Sequence, residues 1–201
     1  MNKKYVLYIA FLVLIVSLFA AIVFGTKLLQ EKESLYGELI EREAPDFSLT
    51  DHNGSKYNFS EHKGKKIILM NFGYTNCPDV CPTTLATLRN VLVDLGEDAN
   101  EVEVLFITVD PERDTVEKLN KYITYFHTNI TGLTGTPDEI ENVAGAYKIF
   151  FFKEDEKSDT EYLMSHSPSI YLIDKNGNLF LKYPQNEIDP ELVAKDIRKL
   201  K

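Results

Sequence analysis

Apolar positions fall into runs of three kinds along this chain, and each kind predicts a different element. From Tyr5 to Thr26 the sequence YVLYIAFLVLIVSLFAAIVFGT carries no charge. About 20 apolar residues are enough to cross a bilayer as a helix, whereas the apolar part of a cleavable leader is shorter. Ala20-Ala21 is followed by Ile22-Val23-Phe24, so no good cleavage signal closes the run. Ile67 to Phe72, Val102 to Val109 and Ser169 to Ile173 are continuous apolar runs of strand length, the pattern of strands buried on both faces. Leu85, Leu88, Val91, Leu92 and Leu95 recur at helical spacing and stop at Gly96, and Leu192, Val193, Ile197 and Leu200 do the same after Asp189-Pro190. Thr115 is placed to cap a helix reaching about His127, and Pro137 opens another reaching Tyr147.

Turn chemistry joins these runs. Asp51-His-Asn-Gly54 predicts a hairpin pairing residues 47–50 with 56–58, and Ser60 a capped single turn ending near Gly64. Leu133-Thr-Gly-Thr136 reads as a short strand edge and turn, and the charged insertion 153–160 as a hairpin tip. Asp174-Lys-Asn-Gly-Asn178 turns the last strand back through 179–183. The order hairpin, β, α, β, α, α, β, β, α predicts an α/β, thioredoxin-like fold with an N-terminal β-hairpin extension, preceded by one transmembrane helix. The expected division is a cytoplasmic N-terminus at 1–4, an anchor at 5–26, a juxtamembrane linker at 27–43 and the thioredoxin-like domain at 44–201.

Charge sharpens the orientation. The 201 residues carry a formal charge of −9, yet Lys3, Lys4 and Lys27 lie in a segment without acid, leaving 19 Lys+Arg against 31 Asp+Glu in the rest. Nucleic acid is excluded as a partner, since phosphate binding needs concentrated positive charge. Lys3 and Lys4 ahead of the span place the N-terminus in the cytoplasm and the domain on the extracytoplasmic side of the cell membrane. A disulfide can persist there.

The candidate chemistry lies in Asn71-Phe-Gly-Tyr-Thr-Asn-Cys77-Pro-Asp-Val-Cys81-Pro82-Thr-Thr84, which holds both cysteines of the chain. Pro82 suits the first helical position, with Cys81 at the cap and Cys77 in the loop before it. Unpaired N–H groups at a helix start favour thiolate over thiol. The pair could be a structural disulfide, a redox couple or a metal site. Two thiolates suit soft metals, above all Cu(I), but call for a third ligand. Among His52, His62, His127 and His166, only His166 lies in a loop that a thioredoxin fold sets beside the thiols. That loop also leads to an expected cis bond at Ser167–Pro168. Two sulfurs and an imidazole would also suit zinc. A peroxidase would need an arginine beside its cysteine; Thr75 is present, but Arg89 lies too far along the helix.

Three motifs together resemble the Sco/SenC family: Tyr74-Thr-Asn-Cys77-Pro-Asp-Val-Cys81-Pro82, Val109-Asp-Pro-Glu-Arg-Asp-Thr115 and His166-Ser-Pro-Ser-Ile-Tyr-Leu-Ile-Asp174. The resemblance covers about Ala44 to Lys199. It implies a thioredoxin-fold metallochaperone that helps assemble the binuclear copper site of cytochrome c oxidase subunit II, or keeps that site's cysteines reduced. Cys77, Cys81 and His166 would then bind copper as Cu(I) or Cu(II), with Cys77 and Cys81 also a redox-active pair. The resemblance decides for copper over zinc, gives Asp110 a supporting rather than ligating place, and implies a copper donor protein and a thiol reductant as further partners.

Overall fold

In the computed structural model, which describes residues 3–33, 35–154, 158, 161–185 and 188–200, the chain divides into two units, Met1–Leu35 and Tyr36–Lys201. The first is a single helix, α1 (Lys3–Glu33), whose described side chains between Tyr5 and Phe24, among them Tyr8, Phe11, Leu14 and Phe19, are exposed and, Ser17 apart, apolar on every side. Side chains at positions 3, 6, 7, 10 and 26–33 are not among those described. Among the described residues, no helix is long and apolar enough to cross a membrane.

The second unit is an α/β sandwich of the thioredoxin type. Its strands are β1 (Glu38–Glu43), β2 (Ser48–Asp51), β3 (Lys56–Asn58), β4 (Ile67–Gly73), β5 (Val102–Thr108), β6 (Ile130–Thr134), β7 (Phe151–Glu154), β8 (Leu163–His166), β9 (Ser169–Ile173) and β10 (Asn178–Pro184). Its helices are α2 (Val80–Leu95), α3 (Val116–Ile123), α4 (Pro137–Ala146) and α5 (Pro190–Lys199). Eight strands form one sheet in the order β1-β10-β9-β4-β5-β6-β2-β3, with β4, β5 and β6 parallel and the others antiparallel to their neighbours. Every residue of β4, β5 and β9 is buried. Each large apolar side chain so buried stabilises the fold by about 1.5–3 kcal/mol before entropy is counted.

Helices cover both faces. Gly132 shows how closely α3 lies, for a Cβ there would stand 2.8 Å from both Leu119 and Ile123. At Gly73 a Cβ would meet the Cys81 sulfur at 3.0 Å and Phe106 at 2.7 Å, so α2 lies on that same face. The chain leaving α4 packs on the other face, where Tyr147 meets the rings of Phe72 and Tyr171.

Several expectations change. Glu38–Glu43, assigned to the linker, is an edge strand on β10, with a register irregularity between Leu39 and Arg42 and a left-handed Glu41. An edge strand is held by backbone pairing and needs no buried face, so its charged sequence hides it. Its start is fixed by Asp196, which accepts N–H bonds from Tyr36 and Gly37 at 2.9–3.0 Å. The hairpin β2–β3 forms as expected, but β2 also pairs with β6 and so extends the main sheet. The turn after β3 begins at Phe59, preceded by Asn58 rather than capped by Ser60. Thr115 does cap α3, which ends at Ile123 because the chain turns there to enter β6 at Ile130.

The insertion folds as a separate two-stranded sheet, β7–β8. Residues 155–157 and 159–160 of its expected tip lie outside the described residues. The Ser167–Pro168 bond, expected to be cis, is trans. A tight turn makes the entry into β9 instead: Ser169 N–H donates to the Ser167 carbonyl at 3.1 Å, and Gln185 N–H to the Pro168 carbonyl at 3.3 Å.

Candidate metal centre

The cysteine turn hangs from the C-terminal end of β4, where open α/β sheets place their ligand sites. The helix that follows starts earlier than its proline suggests. It begins at Val80, with Asp79 as cap residue, so Cys81 is its second residue and Pro82 its third. Proline is tolerated throughout this first turn, whose N–H groups lack helical partners. The Asp79 side chain makes no capping bond. The Cys77 sulfur does that job: Cys81 N–H donates to it at 3.3 Å, and the Asp79 and Val80 N–H groups add to this.

The two sulfurs are free thiols with opposite tendencies. A hydrogen bond from Cys81 and those three backbone N–H groups outweigh partial burial and lower the Cys77 pKa to about 5. The same bond to Cys77, with burial, pushes the Cys81 thiol up. Physically the pair shares one proton, held by buried Cys81 and offered to half-exposed Cys77.

His166 ends β8 and brings its Nε2 to 3.6 Å from the Cys81 sulfur. Its Nδ1 lies 3.3 Å from the Ser167 carbonyl, an arrangement that assigns the proton to Nδ1 and leaves the Nε2 lone pair toward Cys81. Burial lowers its pKa below the ordinary imidazole value, which favours the neutral ring. Tyr74 stands edge-on to the ring at 6.4 Å. The donor set is thus one thiolate, one thiol and one imidazole nitrogen, which fits a soft metal ion. Among the described residues, however, no three His, Cys, Asp or Glu side chains are already placed to hold a metal. One ion held by Cys77, Cys81 and His166 together would need local adjustment among them.

The other candidates have local partners. His52 accepts the Gly132 N–H at 3.1 Å, His62 binds Glu103 at 2.9 Å and stacks on Tyr57, and His127 accepts the Asn129 N–H at 3.0 Å. Thr75 gives both its N–H and its hydroxyl to Asp114, and Arg89 is exposed. Asp110 is buried against Arg113 Nε at 2.6 Å and the Tyr162 hydroxyl at 2.7 Å. Sequence reasoning did not single out Gly73, Tyr74 or Tyr162. Gly73 carried the one usable signal, a glycine closing a buried strand just before the cysteines.

Fold and site together define a thioredoxin-like thiol protein with an adjacent histidine. The chain belongs to the family described as SCO1/SenC, whose model matches residues 38–201. It is 39% identical to Bradyrhizobium japonicum ScoI, solved with copper bound, covering 80% of this chain and 100% of that one at a TM-score of 0.73. Yeast Sco1, also solved with copper bound, is 33% identical over 78% of this chain and 87% of its own, with a TM-score of 0.69. An SCO2-like protein of Rickettsia prowazekii is 37% identical over 83% of this chain and 78% of its own length.

Proposed function

We propose that this protein is a membrane-anchored copper chaperone that binds Cu(I) or Cu(II) through Cys77, Cys81 and His166 and serves assembly of cytochrome c oxidase. The observation carrying this is the approach of the neutral His166 Nε2 to a helix-start thiol pair in an SCO1/SenC chain. Copper here is cargo. Cys77 is already a thiolate and His166 already neutral, so loading displaces one proton, that of Cys81. Exposure of Cys77 leaves one side open for an incoming thiolate of the acceptor, which we take to be subunit II. A three-coordinate ion can pass between proteins by such ligand exchange, while a closed cage would hold it.

The uncharged run from Tyr5 to Thr26 supports the anchor, with residues 1–4 in the cytoplasm and the domain outside. A copper donor and a thiol reductant follow as partners, because oxidation to a Cys77–Cys81 disulfide would remove two ligands. The decisive test is transfer. Copper-loaded chain is mixed with the reduced acceptor domain, and the metal is followed by absorption and mass spectrometry. Copper should move to the acceptor; retention by the donor, with acceptor thiols reduced and free, would overturn delivery.

A second role rests on the asymmetry of the pair. The Cys77 thiolate can attack an acceptor disulfide, forming a mixed disulfide and releasing one acceptor thiolate. Cys81 then gives up its proton, attacks Cys77 and releases the second, so the acceptor is reduced and the pair oxidised. Cys81→Ser without copper should trap the mixed disulfide; if none accumulates, this role fails.

A further inference from the structure

The hairpin bearing His166 is not part of the main sheet, since β7 and β8 pair with each other. Its position against the cysteine turn is therefore set largely by side chains, and these converge on one loop, residues 110–114. Asp110 takes the Tyr162 hydroxyl at 2.7 Å, at the foot of β8. Arg113, locked to Asp110 at 2.6 Å, donates to the Tyr162 carbonyl at 2.9 Å and lies 3.5 Å over the Tyr162 ring. Glu112 reaches Lys153 of β7 at 2.8 Å. The same loop grips the cysteine turn: Asp114 accepts from Thr75 N–H at 2.9 Å, and its neighbour Lys118 bonds Asn76 at 2.8 Å, next to Cys77. Arg113 also faces the Tyr74 ring at 5.9 Å, and Tyr74 is hydrogen-bonded to the Met164 backbone and edge-on to His166.

We propose that the 110–114 loop is a bracket coupling the two ligand-bearing segments, with Asp110, Arg113 and Tyr162 as positioning residues that hold His166 toward the cysteines. The reasoning is energetic. Asp110 is 2% exposed, and a hairpin that swung away would take from it the Tyr162 hydroxyl and loosen Arg113. A buried carboxylate that loses a partner is strongly disfavoured, so the closed hairpin is favoured and His166 stays within reach of an ion at the thiols. Asp110 and Asp114 thus lie one helical turn apart in sequence and serve opposite walls of one site. The proposal rests on the copper-site reading above, but half of its test does not need copper.

The test uses Tyr162→Phe, which keeps the ring and removes only the hydroxyl, and Arg113→Lys as a second variant that keeps the charge. Supporting partners of metal ligands typically change affinity by about 10–100-fold when removed. Tyr162→Phe should weaken copper binding by about tenfold, and the same change made in His166→Ala should have no further effect, because the bracket acts through that ring. In the metal-free chain, amide hydrogen exchange at 162–167 should accelerate in both variants while β5 stays protected. Equal losses with and without His166, or exchange at 162–167 unchanged in both variants, would overturn the bracket. If the parent chain binds no copper, the copper-site reading fails, and the exchange measurement alone decides whether the bracket exists.

Discussion

The cysteine turn grows out of β4, every residue of which is buried, whereas His166 stands on a hairpin whose β7 exposes Phe152, Lys153 and Glu154. The first wall of the site is fixed by backbone pairing on both sides of a central strand and by the start of α2. The second is fixed by a few polar contacts and one tight turn. Under the proposed copper-carrying role, sulfurs on a central strand's end beside a separately held imidazole would let the ion be taken up and given away. The imidazole stays beside the sulfurs only while the polar contacts at the foot of its hairpin hold.

That contrast can be tested by removing donors from each wall. Cys81→Ser should lower Cu(I) affinity by on the order of a thousandfold or more, since a soft ion loses one of two thiolates. His166→Ala should cost less for Cu(I), about a hundredfold, and more for Cu(II), which favours imidazole nitrogen. Competition with a chelator of known affinity measures both. Equal losses from the two walls would remove the distinction drawn here.

A smaller effect follows from protonation. With Cys77 at about 5 and Cys81 raised, one proton must leave on loading at neutral pH, so copper affinity should rise about tenfold per pH unit there. Below about 5 the slope should steepen, as Cys77 too must lose a proton. The same shift has a sign for folding. Because the Cys77 pKa is lowered from 9.0 to about 5, its stabilising contribution is complete above 9.0 and declines as pH falls, disappearing below about 5. Denaturant titrations of the reduced, metal-free protein should show that slope, and Cys77→Ser should flatten it.

Gly73→Ala probes the rigid wall alone. The added methyl would press on Phe106 at 2.7 Å and Cys81 at 3.0 Å, destabilising the fold by about 1–3 kcal/mol. Thermal unfolding gives the size. The hairpin's exchange should be untouched, whereas the same methyl tolerated without loss would mean that the cysteine wall can yield.

Legibility in the sequence follows the same division. The central strands, α2, and the last strand pair and helix were readable because burial on both faces or on one face leaves a periodic signal. Spacing and topology single out Cys77, Cys81 and His166, and the structure brings the Cys81 sulfur and His166 together. What escaped was held by means other than hydrophobic pattern. The edge strand β1 is charged, the start of α2 is capped by a cysteine sulfur, and the turn at Pro168 is made by hydrogen bonds across a trans bond. Asp110 was placed beside the site but its partner Tyr162, 52 residues further on, was not, because such polar pairs have no period in sequence.

The most direct measurement is X-ray absorption at the copper edge on the reduced chain loaded with one equivalent of Cu(I), compared with His166→Ala. Two sulfur neighbours and one imidazole nitrogen are expected in the parent chain, with the nitrogen lost and both sulfurs kept in the variant. A copper environment identical in the two proteins, or one lacking sulfur, would contradict this ligand set.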